Sequence, residues 1–213
     1  MLLCVTKKVC VTSSEAEQKY KALKHYNTPG HAHELTFCCY HRYDYFSDSI
    51  ACELFLSELK KSRAEHDFEL WAYVLMPNHV HLLIWPHQNT YDIARILNET
   101  KGRMAKQYRD HVLENKPANF EKYLIFDKSK KRKVFRFWQP GGGFDRNLCN
   151  GIAIHKSIEY IEANPVRRKL ARSPSEYRWS SAYAREREIG FIPDRFNMPV
   201  AMLNPQIQRI GAM

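Results

Sequence analysis

Residues 68–75 (FELWAYVL) and 79–85 (HVHLLIW) are two strand-like runs separated only by Met76-Pro77-Asn78. A proline and an asparagine within three residues favour a turn over continued ladder pairing, so the two runs must fold back on each other as a hairpin. The rest of the chain has to pack around it. Upstream, the alternation from His33 puts Leu35, Phe37 and Cys39 on one face of a strand that ends near the polar cluster at 41–44. Ser47 or Asp48 can then cap a helix that buries Ile50, Leu54, Phe55 and Leu59. Downstream, Ile93, Ile96, Leu97 and Met104 recur at helical spacing within residues 91–108, with Lys101, Arg103, Lys106 and Arg109 elsewhere on the helix surface.

Residues 112–136 read as an insertion, with strands at 123–126 and 134–138 flanking a basic stretch at 127–133. Gly141-Gly142-Gly143 then breaks regular structure, and Ile154, Ile158 and Ile161 mark the buried stripe of a third helix. Asn164-Pro165 should stop that helix, because proline pushes the residue before it out of helical geometry. The order strand, helix, hairpin, helix, strand predicts an α+β protein. Its core is a ferredoxin-like (split βαβ) antiparallel sheet with helices on one face. Residues 1–30 read as an N-terminal extension ending in the turn Asn27-Thr28-Pro29-Gly30, residues 31–184 as one domain, and residues 185–213 as a C-terminal tail.

Apolar residues make up 44% of the 213 and charged residues 26%, values that exclude a wholly disordered or fibrous chain. The net charge of +10 and the pI of about 9.3 suit either a nucleic-acid partner or a merely basic surface. The six cysteines show no CxxC pairing, which argues against a zinc knuckle or a disulfide framework and for reduced thiols. No apolar run approaches the ~20 residues needed to span a bilayer. The start MLLCVTKKVC is too short in its apolar part for a secretory leader, so a cytoplasmic protein with no membrane partner is expected.

His79 and His81 interrupt the hairpin's apolar pattern. Residues i and i+2 of a strand share a face, so the two imidazoles project together while Val80 and Leu82 point the other way. That is a metal-site geometry, and equally one that hydrogen-bonded core or surface histidines can adopt. On the third helix, Tyr160 and Asn164 are four apart and lie on one face, away from the isoleucine stripe. They can face a cleft, with the Asn164 oxygen reaching a metal. Alternatively Asn164 is only a C-terminal cap and Tyr160 a packing aromatic.

Taken together, four motifs point further. His79-Val80-His81 after Met76-Pro77-Asn78 is the first, and Phe137-Trp138-Gln139-Pro140 with Phe144-Asp145-Arg146 the second. Tyr160-Ile161-Glu162-Ala163-Asn164-Pro165-Val166 and Trp179-Ser180-Ser181-Ala182-Tyr183 follow in order. This series resembles the IS200-like Y1 transposases, most closely their REP-associated tyrosine transposase branch, over residues 31–183. The resemblance implies an HUH endonuclease fold and a single-stranded DNA endonuclease and strand transferase. In such proteins the histidine pair, here His79 and His81, holds a divalent ion. A polar residue four after the tyrosine, here Asn164, completes the site. The tyrosine, here Tyr160, attacks the phosphodiester and leaves a 5′-phosphotyrosine and a free 3′-hydroxyl. The implied substrate is single-stranded DNA with an imperfect palindrome or hairpin. The chain departs from short family members in its N-terminal extension, in the insertion at 112–134 and in its glycine run.

Two nitrogens and one amide oxygen, with open positions for phosphate and water, suit Mg²⁺ or Mn²⁺ better than zinc, which more often comes with thiolates or a third histidine. Two basic runs adjoin the site elements in sequence. Lys128, Lys130, Lys131, Arg132 and Lys133 form one, and Arg167, Arg168 and Lys169 the other. Both are candidates for gripping the DNA backbone, although a charge run is also what a solvated loop looks like. A histidine-triad nucleotide hydrolase is disfavoured, because the next alternate position is Leu83. A nucleic-acid-binding module on the same fold, with little or no cleavage, is the non-enzymatic alternative. Monomer and dimer are both compatible with the sequence.

Overall fold

The computed structural model describes residues 26–141 and 143–197. Residues 1–25, with Cys4 and Cys10, and residues 142 and 198–213 lie outside this description, and with them most of the expected N-terminal extension and the end of the expected C-terminal tail; Cys38, Cys39, Cys52 and Cys149 are free thiols. The strands are β1 (Ala32–Cys38), β2 (Phe68–Met76), β3 (His79–Pro86), β4 (Leu124–Asp127), β5 (Arg132–Phe135) and β6 (Phe144–Leu148). The helices are α1 (Ser49–His66), α2 (Ile93–Asn115), α3 (Pro117–Phe120), α4 (Gly151–Glu162), α5 (Asn164–Arg167) and α6 (Ser181–Arg187).

Pro77 and Asn78 make the turn between β2 and β3, with Met76 opposite His79. The main sheet runs in the order β2-β3-β1-β6, and each neighbouring pair is antiparallel. β1 and β2 are therefore parallel to each other with β3 between them and α1 as the crossover, which is the expected split βαβ arrangement. Asp48 caps α1 by accepting from Ile50 N at 3.1 Å, and Asp92 caps α2 by accepting from Ala94 N and Arg95 N. α2 outruns the expected 91–108 because its buried stripe continues through Tyr108 and Val112. Within residues 112–136 β4 pairs with β5 as a small hairpin, whereas Trp138, placed in its second strand by the sequence, bridges to Cys39 instead.

Strand alternation divides the core in two. Leu35, Phe37, Tyr73, Leu75, Val80, Leu82 and Ile84 face α1 and α2, where Phe55, Leu59, Ile96 and Met104 complete one cluster. Trp71, Val74, Met76, Leu83 and Leu148 face the other way and meet Ile154 and Ile161 of α4. Helices α1 and α2 thus cover one face as expected, and α4 adds a layer on the opposite face. The near-continuous apolar run of β2 required this, since strands buried on both faces need two covers. His33, given no role by the sequence, is buried, with Nδ1 2.8 Å from Asp145 Oδ1 and Nε2 2.9 Å from Tyr91 OH. It ties β1 to β6 and to the start of α2.

Candidate metal and nucleophile site

His79 and His81 lie on the α4 face of β3, with ring centroids 4.9 Å apart and planes at 82°. They are only 9% and 6% exposed. Burial, helped by the positive charges of Arg42 and Arg168, lowers His79 to a pKa of about 4. Burial, the neighbouring His79 and Arg168 lower His81 to about 3. Both imidazoles are therefore neutral at pH 7, the form that offers a lone pair to a cation.

Each ring is also oriented. His79 Nδ1–H donates to Asn78 Oδ1 at 2.7 Å, and His81 Nδ1 is hydrogen-bonded to Thr36 Oγ1 at 2.7 Å. With Nδ1 engaged in both, Nε2 is the nitrogen by which each ring could hold a cation. Thr36 is set opposite His81 by the β1–β3 register. Thr36→Val keeps shape and removes the hydroxyl, so it is expected to weaken Mn²⁺ binding by about 10- to 100-fold with little change in fold. Isothermal titration of the apo protein with Mn²⁺ checks this, and unchanged affinity would mean that Thr36 does not orient His81.

Both pKa shifts run downward from 6.5, so between pH 6.5 and about 4 the unfolded chain takes up protons that the folded chain refuses. Stability from this source is complete above pH 7 and is lost as pH falls. The expected loss is about 2 kcal/mol per histidine by pH 5. Urea unfolding in EDTA at pH 7.5 and 5 should show a smaller drop for a His79→Gln/His81→Gln double variant than for the wild type.

Tyr160 reaches this pair from α4. Asn150 starts the helix by accepting from Ala153 N at 2.8 Å, and Ile154 and Ile161 press it to the sheet. Ser157 Oγ donates to the buried Glu34 at 2.9 Å, fixing the helix along β1. One turn on, the Tyr160 ring stands edge-on to His81, with centroids 5.9 Å apart at 89°. Its side chain is 41% exposed, and its hydroxyl has no hydrogen-bond partner among the described residues. The Arg167 guanidinium lies over the ring at 4.9 Å.

Asn164 corrects an expectation. It does not leave helical geometry: α4 and α5 meet at Ala163, whose own backbone is right-handed helical (φ −80, ψ −8), and Asn164 opens the short helix α5 with Pro165 in its first turn. Proline is tolerated there, because a first-turn N–H has no helical partner to lose. Asn164 Nδ2 donates to the Tyr160 carbonyl at 2.8 Å and to the Ile161 carbonyl at 3.4 Å. The amide nitrogen thus caps α4, and Oδ1 is directed away from those carbonyls. Capping and ligation are compatible in one side chain.

The two basic runs are placed differently. Arg167 covers Tyr160, Arg168 acts on both histidines, and Lys169 follows in a left-handed turn (φ 59). Lys128, Lys130, Lys131, Arg132 and Lys133 are exposed on the β4–β5 hairpin, which packs through Tyr123 and Phe135 onto Tyr108 of α2; Lys133 pairs with Glu121. Among the described contacts none joins this hairpin to the histidine pair. Sequence reasoning missed Arg42, whose charge acts on His79 from a left-handed turn (φ 56) beside His41, itself held by Gln139. It also missed Thr36 and Asn78. A separate group, Glu65, His66 and Glu99, could bring three ligand atoms together, but its members are paired with one another and with Arg95 and Arg103.

A split βαβ sheet that turns alternate histidines toward a helix tyrosine defines an HUH-type fold. A family model described as "Transposase IS200 like" matches residues 27–141, more than half of the chain, and the chain belongs to that family. The match includes the histidine pair and ends before α4. Among solved structures, a REP-associated tyrosine transposase bound to a REP hairpin superposes with a TM-score of 0.59 at 16% identity, covering 84% of this chain and 94% of that one. A putative transposase from Deinococcus radiodurans R1 aligns at 18% identity over 70% of this chain and 96% of its own, with a TM-score of 0.38. No curated protein matches the sequence. Among the described residues no helix is long and apolar enough to cross a membrane.

Proposed function

We propose that this transposase is a metal-dependent single-stranded DNA endonuclease and strand transferase acting through a 5′-phosphotyrosine at Tyr160. The observation that carries the reading is the partly exposed Tyr160 ring, 5.9 Å from a buried, neutral His81. A module that only bound nucleic acid would gain nothing from burying two imidazoles and suppressing their charge. The donor set fits a Mg²⁺ or Mn²⁺ ion: Nε2 of His79 and His81 and the amide oxygen of Asn164 would hold it. Such an ion supplies Lewis-acid polarisation of a non-bridging phosphate oxygen.

The protein's own groups do the rest. Tyr160 Oη attacks phosphorus, the O–P bond forms as the P–O3′ bond breaks, and the phenolic proton is given up while the departing 3′ oxygen gains one. The products are a 5′-phosphotyrosine and a 3′-hydroxyl. The phosphoester keeps the energy of the broken bond, so a second 3′-hydroxyl can reverse the step and join strands without a nucleotide cofactor. Arg42, Arg167 and Arg168 supply positive charge beside the attacked phosphate.

The substrate is proposed to be single-stranded DNA carrying a hairpin or imperfect palindrome. The solved relative is bound to a REP hairpin, and the chain carries a net charge of +10. Incubating the protein with hairpin, unstructured and duplex oligonucleotides, with Mn²⁺ or EDTA, tests the reading. Metal-dependent cleavage of the single-stranded forms alone is expected, and metal-independent or duplex cleavage would contradict it.

Of the basic runs, Arg167, Arg168 and Lys169 are expected to contribute more than the β4–β5 hairpin. Neutralising each residue that touches phosphate should flatten the log K against log salt slope by about 0.7 to 0.9. Titrations at several salt concentrations check this. An unchanged slope for the five-residue hairpin variant would show Lys128, Lys130, Lys131, Arg132 and Lys133 to be solvated.

A further inference from the structure

Within the run Phe137-Trp138-Gln139-Pro140 through Arg146, five side chains are tied into the fold. Phe137 and Trp138 pack in the α1–α2 core, the Gln139 side chain accepts from His41 N, Asp145 holds His33, and Arg146 pairs with Glu34. Phe144 remains 47% exposed. Its position is not accidental. Gly143, at φ +78, brings the chain so close to β1 that a Cβ there would collide with the Thr36 carbonyl oxygen. The next residue, Phe144, is thereby registered opposite Thr36, which is itself opposite His81.

Cross-strand partners share a face. The neighbouring pairs confirm the face: Glu34 meets Arg146, and Ala32 and Leu148 both enter the core beneath α4. Phe144, Thr36 and His81 therefore form one row on the site side of the sheet, with β6 as its outer strand. Two strand spacings, about 10 Å, separate the Phe144 and His81 backbones. That is the reach of one or two nucleotides along an extended single strand.

We propose that Phe144 is a stacking platform for one unpaired base of the single-stranded DNA whose phosphate is attacked by Tyr160. An aromatic face accepts any base, while phosphates on either side meet the chain's positive charge. A duplex base, already stacked on both sides, gains nothing from the ring. Phe144 thus adds a preference for unpaired DNA beside the cleavage point.

This inference rests on the reading of the site as one for single-stranded DNA. The test is equilibrium binding in EDTA of (dT)12 and of an abasic 12-mer with the same phosphates. Wild type, Phe144→Ala and Phe144→Tyr are compared after a melting curve has established equal folding. Wild type should bind (dT)12 more tightly than the abasic strand. Phe144→Ala should lose about 10-fold on (dT)12 and nothing on the abasic strand, and Phe144→Tyr should behave as wild type. Equal binding of (dT)12 by wild type and Phe144→Ala, or equal losses on both strands, overturns the inference alone. A wild-type dimer that Phe144→Ala dissociates, with DNA binding unchanged, assigns the ring to self-association and also overturns it. Wild type that binds neither strand overturns the reading of the site together with the inference.

Discussion

Tyr160→Phe is expected to abolish the covalent protein–DNA adduct and to lower strand cleavage by on the order of 10⁴-fold or more. The substitution removes one oxygen from a partly exposed ring whose hydroxyl has no hydrogen-bond partner among the described residues. The edge contact with His81 and the Arg167 guanidinium above the ring both survive it. Stability should therefore change by less than about 0.5 kcal/mol, and single-strand affinity should be preserved. Denaturing gels and a melting curve read the two halves of this expectation separately. Adduct that persists in the phenylalanine variant would move the nucleophile elsewhere.

The second large effect belongs to the histidines. His81→Ala, and in parallel His79→Ala, should lower Mn²⁺-dependent cleavage by about 10³-fold, the equivalent of the several kcal/mol that Lewis-acid stabilisation provides. Binding of single strands in EDTA should be retained, because the phosphate contacts proposed above come from arginines and lysines rather than from the histidines. His81→Gln serves as a control for folding, since it keeps a polar group near Thr36 Oγ1. Cleavage at the wild-type rate in the alanine variants would show that the pair holds no catalytic cation.

The parts of this molecule that were legible in the sequence are those encoded locally. The Pro77-Asn78 turn fixes the β2–β3 hairpin, and its two-residue period sets His79 and His81 on one side without reference to any other element. The isoleucine stripe of α4 likewise tells which side of the helix Tyr160 cannot be on. What was not legible depends on register between distant strands. Thr36 meets His81 and Phe144 only because β1 pairs in one particular alignment with β3 and with β6. Arg42 comes within electrostatic reach of His79 through left-handed backbone at His41 and Arg42, which non-glycine residues rarely adopt and no residue pattern announces.

Asn164 shows a sound rule applied one step too far. Proline does end the hydrogen-bond ladder of α4, but the chain re-enters helix at once, with Pro165 in a permitted position and Asn164 Nδ2 answering the carbonyls left behind. The layer opposite α1 and α2 was signalled by the near-continuous apolar run of β2. The fold class placed helices on one face only, and the run is what requires the second layer.

The most direct measurement is mass spectrometric mapping of the peptide that carries DNA after reaction of wild-type protein with a single-stranded hairpin oligonucleotide and Mn²⁺. The expected product is a nucleotide joined through its 5′-phosphate to Tyr160, formed with metal and absent in EDTA. A phosphate on Tyr177, whose hydroxyl donates to the Leu75 carbonyl, or on Tyr183, stacked under Arg187, would contradict the assignment of the nucleophile. Cleavage without any covalent peptide would contradict the tyrosine mechanism itself.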